Sequence, residues 1–244
     1  MLQSQKNTIL TLSYMMTEPE NKYFDRKSAQ IKPSDLAPLV AGFANAEGGA
    51  IVVGISDKTL RVEGINAVGE DKINAFLNMA KDYCKPMPQM QEEFLNIVNE
   101  HGEPDRILLL HVEASVDRLI YMSNDSVYLR IGDRTREIKG GDIRRLEYSK
   151  GTRHYEDECN MDAKLEDLDE DLLSQYKDHI DASDLPSEQV LRSRGFLTDW
   201  HGEPHLTHAA VLLFAKNVMR FYPTCRVGFL RYEGETADTG TRMN

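Results

Sequence analysis

The stretch Leu36 to Asp57, reading LAPLVAGFANAEGGAIVVGISD, constrains the fold of this chain more than any other. Leu36, Leu39, Val40 and Phe43 recur at the i, i+3, i+4, i+7 spacing of one helical face. Ser34 is a candidate N-cap, and Pro38 then falls in the first turn, where proline is tolerated. Gly48-Gly49 ends the helix, because glycine takes positive φ without a Cβ penalty. Ala50 to Ile55 runs apolar on both pleat faces, as a central strand covered on each side would. Asp57 stands just past the end of that strand.

Around this stretch the pattern is mixed. Lys22 to Ala29 reads as a strand, with Asp25 and Lys27 on one pleat face. Residues 1–16, with Ile9, Leu10, Leu12 and Tyr14 to Met16, suit a short helix or strand. Arg61 to Ile65 looks like a returning hairpin arm. Asp71 to Tyr83 is helical, with Ile73, Phe76, Leu77 and Ala80 at core spacing, and stops before Pro86 and Pro88. Strands are expected at 94–98, 106–114 and 127–132, and a short helix at 142–148. Hairpins around two core helices predict an α+β fold, a mixed β-sheet with flanking helices.

Charge divides the chain. The net charge is −11, yet Tyr155 to Asp184 alone holds twelve Asp/Glu against two Lys. Ser126 to Arg153 holds eight Lys/Arg against four Asp/Glu, a basic stretch able to attract a polyanion. Three parts follow: residues 1–154, an acidic linker and helix at 155–184, and the start of a smaller α/β domain at 185–244. In the acidic part Leu168 to Ile180 reads as a helix with Leu168, Leu172, Leu173 and Tyr176 inward. Helices at 187–194 and 207–216 and a strand at 226–232 follow, after which the chain stops, as if the last domain were cut short. Apolar residues make up 41%, enough for a globular core, and no apolar run approaches the ~20 residues of a membrane span. The opening MLQSQKNTIL lacks the features of a secretory signal. Cys84, Cys159 and Cys225 form no CxxC pair, which fits reduced thiols in the cytoplasm.

The chemical candidates each have a plain alternative. Glu20, Asp25 and Asp57 are the acids nearest the central strand, and open α/β sheets place ligands where Asp57 stands. Regular strand or helix geometry keeps Glu20 and Asp25 apart, so only a turn around Asn21 could bring them together. Three oxygen ligands would suit Mg²⁺ or Mn²⁺ and phosphodiester cleavage; otherwise these are ordinary turn acids. No other cofactor is indicated. Lys27 is either a phosphate contact or half of an exposed ion pair. Arg130, Arg134 and Arg136 point to one side if their strand continues, with Lys139, Arg144 and Arg145 beyond. Arginine forks suit phosphate oxygens, although a solvated charge run has the same composition. His201, His205 and His208 lack HExxH spacing and are interrupted by Pro204, which argues against a metal. No Walker A loop follows Gly48-Gly49, and no GxSxG is present.

The ordered run Glu20-x4-Asp25-x-Lys27, Ala41 to Gly49 (AGFANAEGG), Val53 to Asp57 (VGISD), Gly64, and Val127 to Gly132 (VYLRIG) resembles the Schlafen/AlbA-type DNA-binding domain, over roughly residues 18–148. HLTHAAVLLFAKN and RFYPTCRVGFLRYEG, within 185–234, are similar to the next domain of bacterial transcriptional regulators in that group. The group is also described as divergent AAA-like, but no phosphate-binding loop here supports ATP. The resemblance implies that Lys27, Arg130, Arg134 and Arg136 contact nucleic-acid phosphates. In nuclease members, acids matching Glu20, Asp25 and Asp57 form a metal-dependent RNA-cleaving site. Asp25 replaces the usual glutamate and Arg26 the following phenylalanine, which shortens one ligand. Asn45 is expected to be structural, satisfying backbone groups near the glycine turn.

These readings converge on a cytoplasmic nucleic-acid-binding regulator, with DNA ahead of RNA. The alternative is a metal-dependent endoribonuclease. A blander one is a partner-binding or homo-oligomerising module whose acidic segment docks a basic surface.

Overall fold

The computed structural model describes residues 11–229 and divides into two units, residues 1–153 and 154–244. In the first unit the elements are α1 (Leu12–Thr17), β1 (Phe24–Lys27), α2 (Pro33–Asn45), β2 (Gly49–Val53), α3 (Glu70–Tyr83), β3 (Cys84–Lys85), β4 (Met90–Val98), β5 (Pro104–Val112), β6 (Tyr121–Met122), β7 (Val127–Ile131), β8 (Arg134–Ile138) and α4 (Gly141–Ser149). They build two four-stranded sheets, ordered β1-β2-β5-β4 and β3-β6-β7-β8. The first sheet is mixed: β1 runs parallel to β2, while β5 is antiparallel to both β2 and β4. The fold is α+β.

The apolar run of β2 is buried on both faces. Ile51 and Val53 join α2, α3, Leu108 and Leu110 in one core, while Val52 packs with Phe24, Ile107, Leu109 and Met15 of α1. Each fully buried Val, Leu or Ile contributes about 1.5–3 kcal/mol, so this strand anchors the unit. Gly48 sits at φ +74 and donates its N–H to Phe43 O at 2.9 Å, closing α2. A Cβ on Gly49 would lie 2.5 Å from Tyr23 O, so only glycine lets β2 start against the segment that leads into β1.

The helix start differs from the sequence reading. Residue Lys32, not Ser34, is the N-cap, because Pro33 supplies a preset φ at the first helical position. Pro38 therefore lies inside α2 rather than in its first turn. The segment 61–65 makes one bridge, Ile55↔Val62, and no strand. Of the residues expected in the α3 core, Ile73, Phe76 and Ala80 are buried and Leu77 only half-buried; Met79 takes its place.

The second unit holds α5 (Glu170–His179), α6 (Ser187–Ser193), β9 (Leu197–Trp200), β10 (Glu203–Leu206), α7 (His208–Phe214) and α8 (Val218–Phe221), with β9 and β10 forming an antiparallel hairpin. Part of the acidic stretch folds into its core through Ala163, Leu168 and Leu173. Leu172, expected inward, is 42% exposed, whereas its neighbour Leu173 is the buried residue of α5. Residues 226–229 carry no strand, and the rest of the 226–232 strand expectation lies outside the described residues, as do residues 1–10 of the N-terminal one.

Candidate functional site

The side chains that the sequence singles out fall into three groups. The first forms around β1. Asn21 N–H bonds to Phe24 O at 2.9 Å and its Oδ1 accepts from Tyr23 N at 2.8 Å, so a tight turn does stand between Glu20 and Asp25. That turn lets Glu20 Oε1 accept from Arg26 N at 3.4 Å and approach Lys27 Nζ at 3.6 Å. Asp25 and Lys27 share a pleat face and are ion-paired, with Asp25 buried.

Arg130 reaches this group from β7. Its Nη1 donates to Asp25 Oδ2 at 2.6 Å, its Nε and Nη2 to Asn21 O at 3.1 and 2.8 Å, and Nη2 also to Phe24 O at 3.2 Å. The guanidinium lies 4.7 Å over the Phe43 ring. Only 1% of the side chain is exposed. Each guanidinium edge is thus spent on the protein itself, and none faces solvent for a phosphate. Close packing makes this possible: a Cβ on Gly42 would lie 2.5 Å from Thr135 Cγ2, so α2 approaches β7 and β8 only because glycine stands there.

Glu20 is half-buried, and burial raises its carboxyl above the ordinary range; the neighbouring Asp25 charge pushes the same way and Lys27 opposes it. Asp25 has one oxygen on Lys27 and the other on Arg130. Asp57 is the second group: it is exposed in the turn after β2, four residues beyond Val53, the position opposite Lys27, and its side chain makes no hydrogen bond or ion pair among the described residues. Among the described residues no three His, Cys, Asp or Glu side chains are grouped as metal ligands. Two cations already neutralise the one buried carboxylate, so these residues do not fit a Mg²⁺ or Mn²⁺ centre. The structure brings Glu20, Asp25, Lys27 and Arg130 together, and among the described residues no hydrogen bond or ion pair joins Asp57 to them.

The third group corrects a geometric expectation. The strand carrying Arg130 does not continue. Gly132, at φ +61, and Asp133 turn the chain, and β8 returns antiparallel, with Arg130 opposite Thr135, Leu129 opposite Arg136 and Ile131 opposite Arg134. Cross-strand partners share a face, so Arg134 and Arg136 lie on the opposite face from Arg130. A Gly-Asp pair between two β-rich runs is a hairpin signal that the sequence did offer. Arg134 and Arg136 are exposed on an edge strand. Helix α4 covers part of their face by packing Ile143 and Leu146 on the cluster of Leu119, Val127 and Ile138. It carries Arg144 and Arg145, both exposed. Opposing acids are weakly engaged: Asp133 is 4.0 Å from Arg134, Glu137 3.3 Å from Lys139 and Asp142 3.9 Å from Arg145, all surface pairs. The guanidinium groups of Arg136 and Arg144 make no ion pair or hydrogen bond among the described residues.

Asn45 is structural, though not at the glycine turn. Buried, it donates to Ile120 O at 2.8 Å and Tyr128 O at 2.9 Å and accepts from Ile120 N at 2.8 Å, tying α2 to β7 and the segment before β6. Residues the sequence reading did not connect to Arg130 are Asn21, Phe43 and Thr135. Among the described residues no helix is long and apolar enough to cross a membrane.

Comparison with known proteins gives a family. The family described as Schlafen, AlbA_2 matches residues 20–139. No curated protein matches the chain. Among solved structures, the DIP2311 protein from Corynebacterium diphtheriae is similar at 24% identity and a TM-score of 0.41, over 80% of this chain; the match spans 40% of that protein's length.

Proposed function

With residues 20–139 forming a Schlafen/AlbA_2-type domain, we propose that the chain is a nucleic-acid-binding regulatory protein whose contact surface is the β7–β8 hairpin with α4. The observation that carries this reading is the pair of exposed arginines, Arg136 and Arg144, whose side chains have no partner among the described residues, beside Arg134 and Arg145. Long cationic side chains that spend nothing on internal ion pairs are free to displace counterions from phosphates. Arg130 and Lys27 serve this surface indirectly, by fixing β7 against β1. DNA is the first ligand to test, as a cytoplasmic transcriptional regulator would require, and three free cysteines accord with a reducing compartment.

The geometry gives no specific support to cleavage, since the three acids do not form a ligand set. The deciding experiment is titration of labelled duplex DNA and of RNA at two salt concentrations. Binding that weakens steeply with salt supports the reading; no binding at low salt, or affinity indifferent to salt, overturns it.

A further inference from the structure

The two sheets of the first unit have four outer strands, and three of them are poor templates for pairing. β3 has two residues, β1 has four, and β8 has five with Arg134 and Arg136 along it. Shortness and charged side chains, lysine above all, are the usual protection against edge-to-edge association. β4 is long and carries no cation, its charges being the neighbouring acids Glu92 and Glu93. It runs nine residues, Met90–Val98, without Lys, Arg, Pro or Gly, and pairs with β5 in unbroken register from Met90↔Val112 to Val98↔Pro104. No bulge twists it away, and among the described residues no strand lies on its other side. That leaves about 30 Å of backbone donors and acceptors along one edge. Phe94 and Val98 are 39% and 61% exposed on it.

We propose that this edge is an interface with a second copy of the chain, β4 pairing antiparallel with β4 about a two-fold axis through Phe94. The occupant follows from the strand's own sequence. A two-fold axis perpendicular to the sheet keeps each face on its own side, so a residue can oppose only one of the same pleat parity. Centring on Phe94 overlaps the whole strand. Phe94 then meets the second copy's Phe94, Glu93 meets Leu95, Glu92 meets Asn96, Gln91 meets Ile97 and Met90 meets Val98. Both acids oppose uncharged residues, and an aromatic pair sits on the axis, where cross-strand aromatic contacts stabilise. Arg106 already lies 4.8 Å over the Phe94 ring, holding it at the edge. The pairing joins two four-stranded sheets into one of eight. It stands apart from the nucleic-acid reading and requires no ligand.

The test is sedimentation equilibrium of the 244-residue chain over a wide concentration range, with circular dichroism confirming the fold of each variant. The wild-type chain is expected to dimerise. Asn96→Glu sets a new carboxylate against Glu92 twice per dimer and is expected to raise the dimer dissociation constant at least about tenfold. In the isolated chain the new acid lies beside Arg106, its partner on β5, so the fold tolerates it. Adding Glu92→Lys to Asn96→Glu converts both repulsions into attractions and is expected to restore association. A chain that sediments as a monomer at every concentration overturns the proposal. So does a dimer indifferent to Asn96→Glu, which would place the interface elsewhere.

Discussion

Asp25 and Arg130, 105 residues apart in the chain, meet at 2.6 Å with side chains 3% and 1% exposed. This contact joins β1 of one sheet to β7 of the other, and Arg130 reinforces it through the carbonyls of Asn21 and Phe24. Removing one member of such a pair strands the other in a low-dielectric interior, at a cost of about 3–5 kcal/mol. Asp25→Ala is therefore expected to destabilise the protein by that amount in urea unfolding followed by circular dichroism. Arg130→Lys is expected to recover little, because a single ammonium cannot span the carboxylate and two carbonyls. A loss below about 1 kcal/mol for Asp25→Ala would mean that the pair carries no net structural weight.

Arg134 and Arg136 predict the opposite profile. Both are exposed, so Arg134→Ala and Arg136→Ala should leave the unfolding free energy within about 0.5 kcal/mol of the original. Each should weaken nucleic-acid binding for every sequence tested and reduce the slope of log K against log salt by about one. Normal salt slopes in both variants would move the contact surface away from this hairpin.

The contrast between Arg130 and Arg136 shows how far sequence could reach. The central strand, the two core helices and the class of the fold were readable because apolar periodicity reports burial directly, and β2 obeys it from Ala50 to Val53. A run of arginines has no such signature. Arg130, Arg134 and Arg136 are chemically alike in sequence, and what separates them is a two-residue turn at Gly132-Asp133 that reverses facing, together with a Gly42 small enough to let α2 close over Arg130. Likewise the turn at Asn21 could be named from sequence as the one way to unite Glu20 with Asp25. That Asp25 would be neutralised by a strand some hundred residues away depends on tertiary packing, which no local pattern encodes.

A second buried carboxylate sets an acid limit on stability. Burial pushes the Asp105 carboxyl up. The N–H groups of Arg106, Asn66 and Ile65 at 2.7, 3.0 and 3.2 Å, with the Asn99 amide at 3.3 Å, outweigh that and hold it below its ordinary range. A depressed folded value means that the unfolded chain binds the proton first as pH falls. Asp105 thus stabilises the fold fully above the ordinary aspartate range, and this contribution is lost as pH drops through that range to the lower folded value. Asp105→Asn should flatten the acid limb of a stability-against-pH curve measured by thermal melting. Gly64 at φ +73 faces the same carboxyl, and its Cβ would sit 2.2 Å from Asp105 Cγ, so Gly64→Ala should lower the melting temperature.

The engagement of Asp25 by two cations also makes a metal prediction. Mn²⁺ would have to displace Lys27 or Arg130 from its oxygens, and among the described residues no three acids are grouped as ligands there. Millimolar Mn²⁺ is expected to leave the melting temperature unchanged in calorimetry, and Asp57→Asn to leave nucleic-acid binding unchanged. A clear upward shift with Mn²⁺ that Asp57→Asn abolishes would restore the three-acid site.

Asn45 provides the sharpest test of how α2 is held. It is buried, and its amide supplies two donors to Ile120 O and Tyr128 O and one acceptor to Ile120 N. Asn45→Asp keeps the shape but turns the two donors into acceptors facing carbonyl oxygens, and an ionised carboxylate there would lack any counter-charge in those contacts. Asn45→Ala removes all three bonds and leaves three backbone groups without a partner, at about 1–3 kcal/mol for each that stays dry. Both variants should destabilise strongly in urea unfolding. They should differ with pH: the aspartate variant should regain stability as the solution is acidified into the carboxyl range, because protonation removes the charge and restores one donor, whereas the alanine variant should not. Equal pH profiles for the two would mean that water reaches the site and satisfies the freed carbonyls.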